Sequence, residues 1–100
     1  MNIITLTQDQ LCDAVRDLSG ARARCPFFRC PDPTRDFAAA GELLEEMPSP
    51  LLRKLWDGTG WECASGAGHG FAFAVTKGLA VCLAYYAMKT GQRAELKEEA

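Results

Sequence analysis

Apolar positions gather most densely between Gly70 and Met88, a stretch that reads GFAFAVTKGLAVCLAYYAM. At a helical period this segment places Phe71, Val75, Leu79, Cys82, Leu83 and Tyr86 on one face. The opposite face, with Lys77, Val81, Ala84, Tyr85 and Met88, is hardly more polar. A helix that is apolar nearly all round has to be covered on most sides. The pattern therefore predicts one long helix, Phe71–Lys89, with the remaining segments wrapped about it.

Shorter elements precede it. Thr7 is placed to cap a helix, Gln10 three residues on completes a capping box, and Leu6 and Leu11 can close a hydrophobic staple. Leu11, Val15 and Leu18 then share a face, and Gly20 supplies a stop. Residues 1–6 can be extended, with no evident partner strand. Residues 21–34 hold Pro26, Pro31 and Pro33, which exclude a regular helix. A second helix is expected over 35–47, with Phe37, Ala40, Leu44 and Met47 inward. Ser49-Pro50 is a capping serine followed by a first-turn proline, so a third helix is expected, carrying Leu51, Leu52, Leu55 and Trp56 up to Gly58. Residues 61–70 can form a small β-hairpin with Trp61–Ala64 as one arm. Gly91 suits the C-cap of the long helix, and residues 95–100 suit a solvated tail. The expected fold is thus all-α or mainly α: a single small helical domain, 1–100, of three short helices packed around one long apolar C-terminal helix.

Composition narrows the picture without identifying an activity. An apolar fraction of 48% and a charged fraction of 24% suit a folded chain, not a disordered one. The net charge of −2 argues against a general nucleic-acid binder held by overall positive charge. Five arginines, Arg16, Arg22, Arg24, Arg29 and Arg35, nevertheless cluster within twenty residues. The opening residues MNIITLTQDQ have neither the basic start nor the apolar core of a secretory leader. Lys77 and the many alanines argue against a membrane span in the apolar stretch. A cytoplasmic location is expected, and there five cysteines are better read as thiols or metal ligands than as disulfides.

Two constellations carry candidate chemistry. Cys25-x4-Cys30 and Cys63-x5-His69 offer two ligand pairs from Pro- or Gly-rich loops, which is how a structural zinc is commonly held. Cys12 is an alternative ligand, and half-buried thiols beside an ordinary loop histidine are the plainer alternative. Cys82 suits plain core. The second constellation is the arginine cluster. Arg29 follows Phe27 and Phe28 in a proline-bounded loop, a combination common in binding hot spots. Arg22, Arg24, Phe27, Phe28, Arg29 and Arg35 are therefore candidate partner contacts, with Tyr85 and Met88 as a second apolar stripe. The alternative is that the phenylalanines are core and the arginines pair with Asp13, Asp17 and Glu42–Glu46. Cys63, His69 and Glu62 lie close enough in sequence for a catalytic pair, but no enzyme motif surrounds them. Gly66–Gly70 lacks the buried strand and acidic residue of a dinucleotide fingerprint and reads as a turn.

In size, mild acidity and absence of enzyme motifs, the chain resembles the small proteins that phages and mobile elements encode against host systems, anti-CRISPR proteins among them. The resemblance implies a bacterial defence ribonucleoprotein as partner, blocked sterically, and carries over no functional residues. The expected function is a non-enzymatic binding protein that docks on a macromolecular partner, protein or ribonucleoprotein, without a membrane. A zinc-stabilised regulator or adaptor that touches nucleic acid is one alternative, and a thiol-redox or metal-dependent enzyme another. The ligand pairs give a direct test. Folded protein prepared without chelator should carry about one zinc per chain by elemental analysis, and Cys30→Ser should then lower the melting temperature sharply, since metal binding is coupled to folding. Far less than stoichiometric metal rules the site out.

Overall fold

The long apolar stretch does not form one helix. Phe71–Ala74 is a strand, and the helix begins only at Lys77 and ends at Thr90. The computed structural model describes residues 3–19, 33–66 and 71–97. Within them the order is β1 (Ile4–Leu6), α1 (Gln8–Ser19), α2 (Phe37–Glu46), β2 (Leu51–Lys54), β3 (Trp61–Ala64), β4 (Phe71–Ala74), α3 (Lys77–Thr90) and β5 (Ala94–Leu96). The described fold is α/β, three helices with five strands in two sheets, which corrects the expectation of a mainly α bundle around a long helix.

Local chemistry explains where the helices start and stop. Thr7 Oγ1 accepts from the Gln10 amide at 3.1 Å while Gln10 Oε1 accepts from the Thr7 amide at 2.9 Å, the reciprocal bonds of a capping box. Asp36 caps α2 by accepting from the Ala38 amide. Thr76, placed mid-stretch, caps α3 by accepting from the Leu79 amide, and this cap divides strand from helix. At the other end Gly91 takes φ 71 and its amide donates to Ala87 O at 2.8 Å, a left-handed terminus that favours glycine.

The expected third helix is also a strand. Ser49 adopts a left-handed φ of 47, so the chain turns sharply and leaves Leu51–Lys54 extended. These residues pair antiparallel with β3, Leu51 opposite Ala64 and Lys54 opposite Trp61. β4 pairs on the far side of β3, Trp61 opposite Ala74 and Ala64 opposite Phe71. Trp61–Ala64, expected as one arm of a small hairpin within 61–70, is therefore the middle strand of a three-stranded sheet, and its hairpin partner is Phe71–Ala74. The opening strand has a partner too: β1 runs parallel to β5, with Ile4 opposite Ala94 and Leu6 opposite Leu96.

α3 is the centre of the packing. Every residue from Gly78 to Tyr85, and Ala87, is buried, and the helix packs on α1, α2, β3, β4 and β5. Leu11 and Val15 of α1, Ala40 and Leu43 of α2, Cys63 of β3 and Ala72 of β4 join it in one apolar cluster. Full burial of a side chain such as Val81 or Leu83 is worth roughly 1.5–3 kcal/mol. Tyr85, the largest fully buried side chain, keeps its hydroxyl satisfied by donating to Glu46 Oε1 at 3.2 Å.

Gly78 lets the loop before α2 reach the start of α3. A Cβ there would meet Pro33 O at 2.9 Å and Thr34 O at 3.3 Å, both backbone atoms, whereas a Cβ at Gly41 in α2 would meet nothing within 4 Å. Gly78→Ala should therefore destabilise the protein by about 1–3 kcal/mol, because overpacking outweighs the helix-propensity gain of about 1 kcal/mol. Gly41→Ala should stabilise it by about 0.5–1 kcal/mol. Urea unfolding of both variants checks the pair, and the same sign for both would contradict the packing described.

Candidate functional site

The three-stranded sheet has two chemically distinct faces. Side chains alternate along each strand, and cross-strand partners share a side. Leu52, Cys63 and Ala72 form the row turned toward α3, and Cys63 and Ala72 are buried. The outer face consists of the row Leu51–Ala64–Phe71 and the row Arg53–Glu62–Phe73. Leu51, Phe71 and Phe73 are exposed, and Val75 continues the alternation just past the strand at 72% exposure. The Phe71 and Phe73 rings meet edge to face, with centroids 4.8 Å apart and planes at 89°, an arrangement favoured by the ring quadrupoles. Glu62 is buried on this face and ion-pairs with Arg53, so the charge beside the phenylalanines is neutralised.

The β2–β3 turn adds an aromatic at the edge of this face. Leu55 O accepts from the Gly58 amide at 2.9 Å, and Leu55 N donates to Gly60 O at 2.9 Å. Asp57 accepts from both the amide and the hydroxyl of Thr59, and these bonds hold its carboxyl below the usual range. Gly58 takes φ 77, as such a turn requires. The result presents Trp56 at 98% exposure. Trp56 lines a shallow cleft with Arg53 and Glu62, which connects the turn to the outer face.

A third feature lies at the first residues of all three helices. Gln8, Phe37 and Lys77 line one open cleft with Trp61. Lys77 Nζ sits 4.4 Å from the Phe37 ring centroid and 5.4 Å from that of Trp61. A cation at a helix N-terminus opposes the helix dipole, and the two aromatic faces offset that cost. Lys77 is thus a charge positioned against two aromatic rings.

The structure distributes the residues singled out from sequence unevenly. Arg22, Arg24, Phe27, Phe28 and Arg29, and the ligand candidates Cys25, Cys30 and His69, lie outside the described residues. Among the described residues no group of three or more His, Cys, Asp or Glu is placed to hold a metal ion. Arg35 is exposed and ion-pairs with Asp9 at 3.3 Å, a surface pair of little energetic weight. Tyr85 is fully buried and Met88 half-buried against the core cluster; the stripe read as a second binding face is covered, because α1, α2 and the strands surround α3. No helix among the described residues is long and apolar enough to cross a membrane. Sequence reasoning missed Leu51, Trp56, Phe73 and Val75. The signal was the strict alternation Phe71-Ala72-Phe73-Ala74-Val75, a strand period hidden in a segment that also fits a helical one.

No protein-family model, curated protein or solved structure matches the chain.

Cys63 gives a chemical test of the inner face. Burial pushes its thiol up to about 11 from 9.0. The folded state thus keeps a proton that the unfolded chain releases first, so the contribution is fully present below pH 9.0 and is lost as pH rises toward about 11. Stability to urea should fall across that window, and Cys63→Ala should flatten the fall. An unchanged slope in the variant would place the thiol in contact with solvent.

Proposed function

We propose that this chain is a non-enzymatic binding protein whose outer sheet face docks on a protein partner. The observation that carries the reading is the Phe71–Phe73 pair, exposed beside Leu51 and Val75 on one side of a sheet whose other side is core. Contiguous exposed apolar residues of this kind usually mark an interaction surface, and a nearby exposed tryptophan is the residue type most enriched in hot spots. The face favours a protein over a nucleic acid, since its arginine is already paired with Glu62 and the chain's net charge is −2. The buried, high-pKa thiol of Cys63 weighs against thiolate chemistry at that residue. Steric blocking of a bacterial defence ribonucleoprotein is the particular form of this reading suggested by the chain's size and mild acidity.

The test is capture from a bacterial lysate on immobilised protein, identification of what is retained, and affinity measurement for that partner with wild type and with a Phe71→Ser, Phe73→Ser double variant. The double variant should bind at least about tenfold more weakly, with a melting temperature close to wild type because both rings are exposed. Equal affinity in a folded double variant would overturn the assignment of this face.

A further inference from the structure

The two sheets present facing edges that nothing occupies among the described residues. Among the described strands, β4 is an edge of one sheet, paired only with β3, and β5 is an edge of the other, paired only with β1. Between them runs a groove of about 290 Å³, walled by residues 72–75 on one side and 93–96 on the other, with Leu83 of α3 at its base. No backbone hydrogen bond between described residues crosses it.

The hydrogen-bond pattern fixes which groups face the groove. Ile4 N donates to Arg93 O and Lys97 N donates to Leu6 O, so the odd-numbered residues of this segment point their main-chain groups toward β1. Strand alternation turns the N–H and C=O of Ala94 and Leu96 the other way, toward β4. β4 likewise directs every second residue's main-chain groups away from β3. Two rows of donors and acceptors thus oppose one another above an apolar base.

We infer that this groove accepts an extended segment of the protein partner as an added strand between β4 and β5, joining the two sheets into one. An extended chain sends its main-chain groups alternately to either side, and so can satisfy both edges at once. A helix bonds its own backbone internally and offers neither row. The occupant must have both edges free. A second copy of this chain cannot supply one from its own described strands by their exposed side alone, because each is already paired along one edge. The base sets the side-chain chemistry. Ala72 and Ala94 are buried beside Leu83, leaving room for small apolar side chains at alternate positions, whereas the outward positions would lie among Phe73, Arg93 and Glu95. This deepens the docking reading and rests on it, since Phe73 belongs to both the outer face and the groove wall.

The probe is a displayed library of linear peptides selected on the folded protein, followed by amide hydrogen exchange with an enriched peptide. Selection should favour alternating sequences with Ala or Val at every second position. In the free protein the amides of Ala94 and Leu96 should exchange faster than those of Glu95 and Lys97, and bound peptide should slow Ala94 and Leu96 by at least about tenfold. Ala94→Pro removes a groove-facing donor without touching the β1 ladder, a change edge strands tolerate, and should abolish this peptide binding. Exchange is the deciding readout should that variant fold poorly. Peptides that bind while leaving Ala94 and Leu96 unchanged overturn strand addition. So does a library that yields no binder when the lysate partner is still lost in the Phe71/Phe73 double variant; in that case docking through the outer face stands without it. Loss of neither peptide nor lysate partner in any variant would overturn both readings.

Discussion

Everything in this fold answers to one constraint, that a helix of fourteen residues is apolar on nearly every side. Removing it from water needs cover from several directions at once. α1 and α2 supply two, β3 and β4 a third, and β5 a fourth. Gly78 enters the same account, since the absence of a side chain there lets residues 33 and 34 come against the start of the helix. The alanines within α3 act similarly, as close approach of neighbouring backbone needs little side chain at the contact.

Covering α3 in this way has a consequence for the sheets. The helix-facing side of β2–β4 is used up by the core, with Cys63 and Ala72 buried there. Short strands in a small chain leave nothing among the described residues to cover the reverse side, so Phe71, Phe73 and Leu51 remain in contact with solvent. Two apolar rings in water confer no stability on the folded chain by themselves. Their edge-to-face contact recovers part of that loss, but a partner surface would recover far more.

How much of this was legible in the sequence follows from the range of each interaction. The Thr7–Gln10 box and the Gly91 terminus are decided within a few residues, and both stand as read. α1 was read correctly and α2 within about two residues of its ends. Pairings decided across the chain were not readable. Ile4 meets Ala94, and no local pattern announces a parallel partner so distant. Leu51-Leu52 has the composition of a helix start after Ser49-Pro50, yet the left-handed Ser49 and the available edge of β3 make it a strand, a case of tertiary pairing overriding propensity. At Phe71–Val75 both periods fit the same residues. The deciding mark was Thr76, a capping side chain inside an apolar run. Tyr85 shows the remaining gap: periodicity places a residue on a helix face but does not say whether that face is covered.

β4 is where these pressures meet. Its inward residues, Ala72 and Ala74, are small enough to let α3 come close, and its outward residues, Phe71 and Phe73, are large and exposed. Its edge away from β3 carries no backbone partner among the described residues. Natural sheets usually protect such an edge with charge, proline or a covering element. Here the charged side chains that line the groove are Arg93 and Glu95, and they lie on the neighbouring sheet, not on the strand itself. An open edge, an exposed aromatic pair and an apolar groove on one four-residue strand are each a liability for a solitary protein. Together they are the features on which the proposed docking of another chain rests.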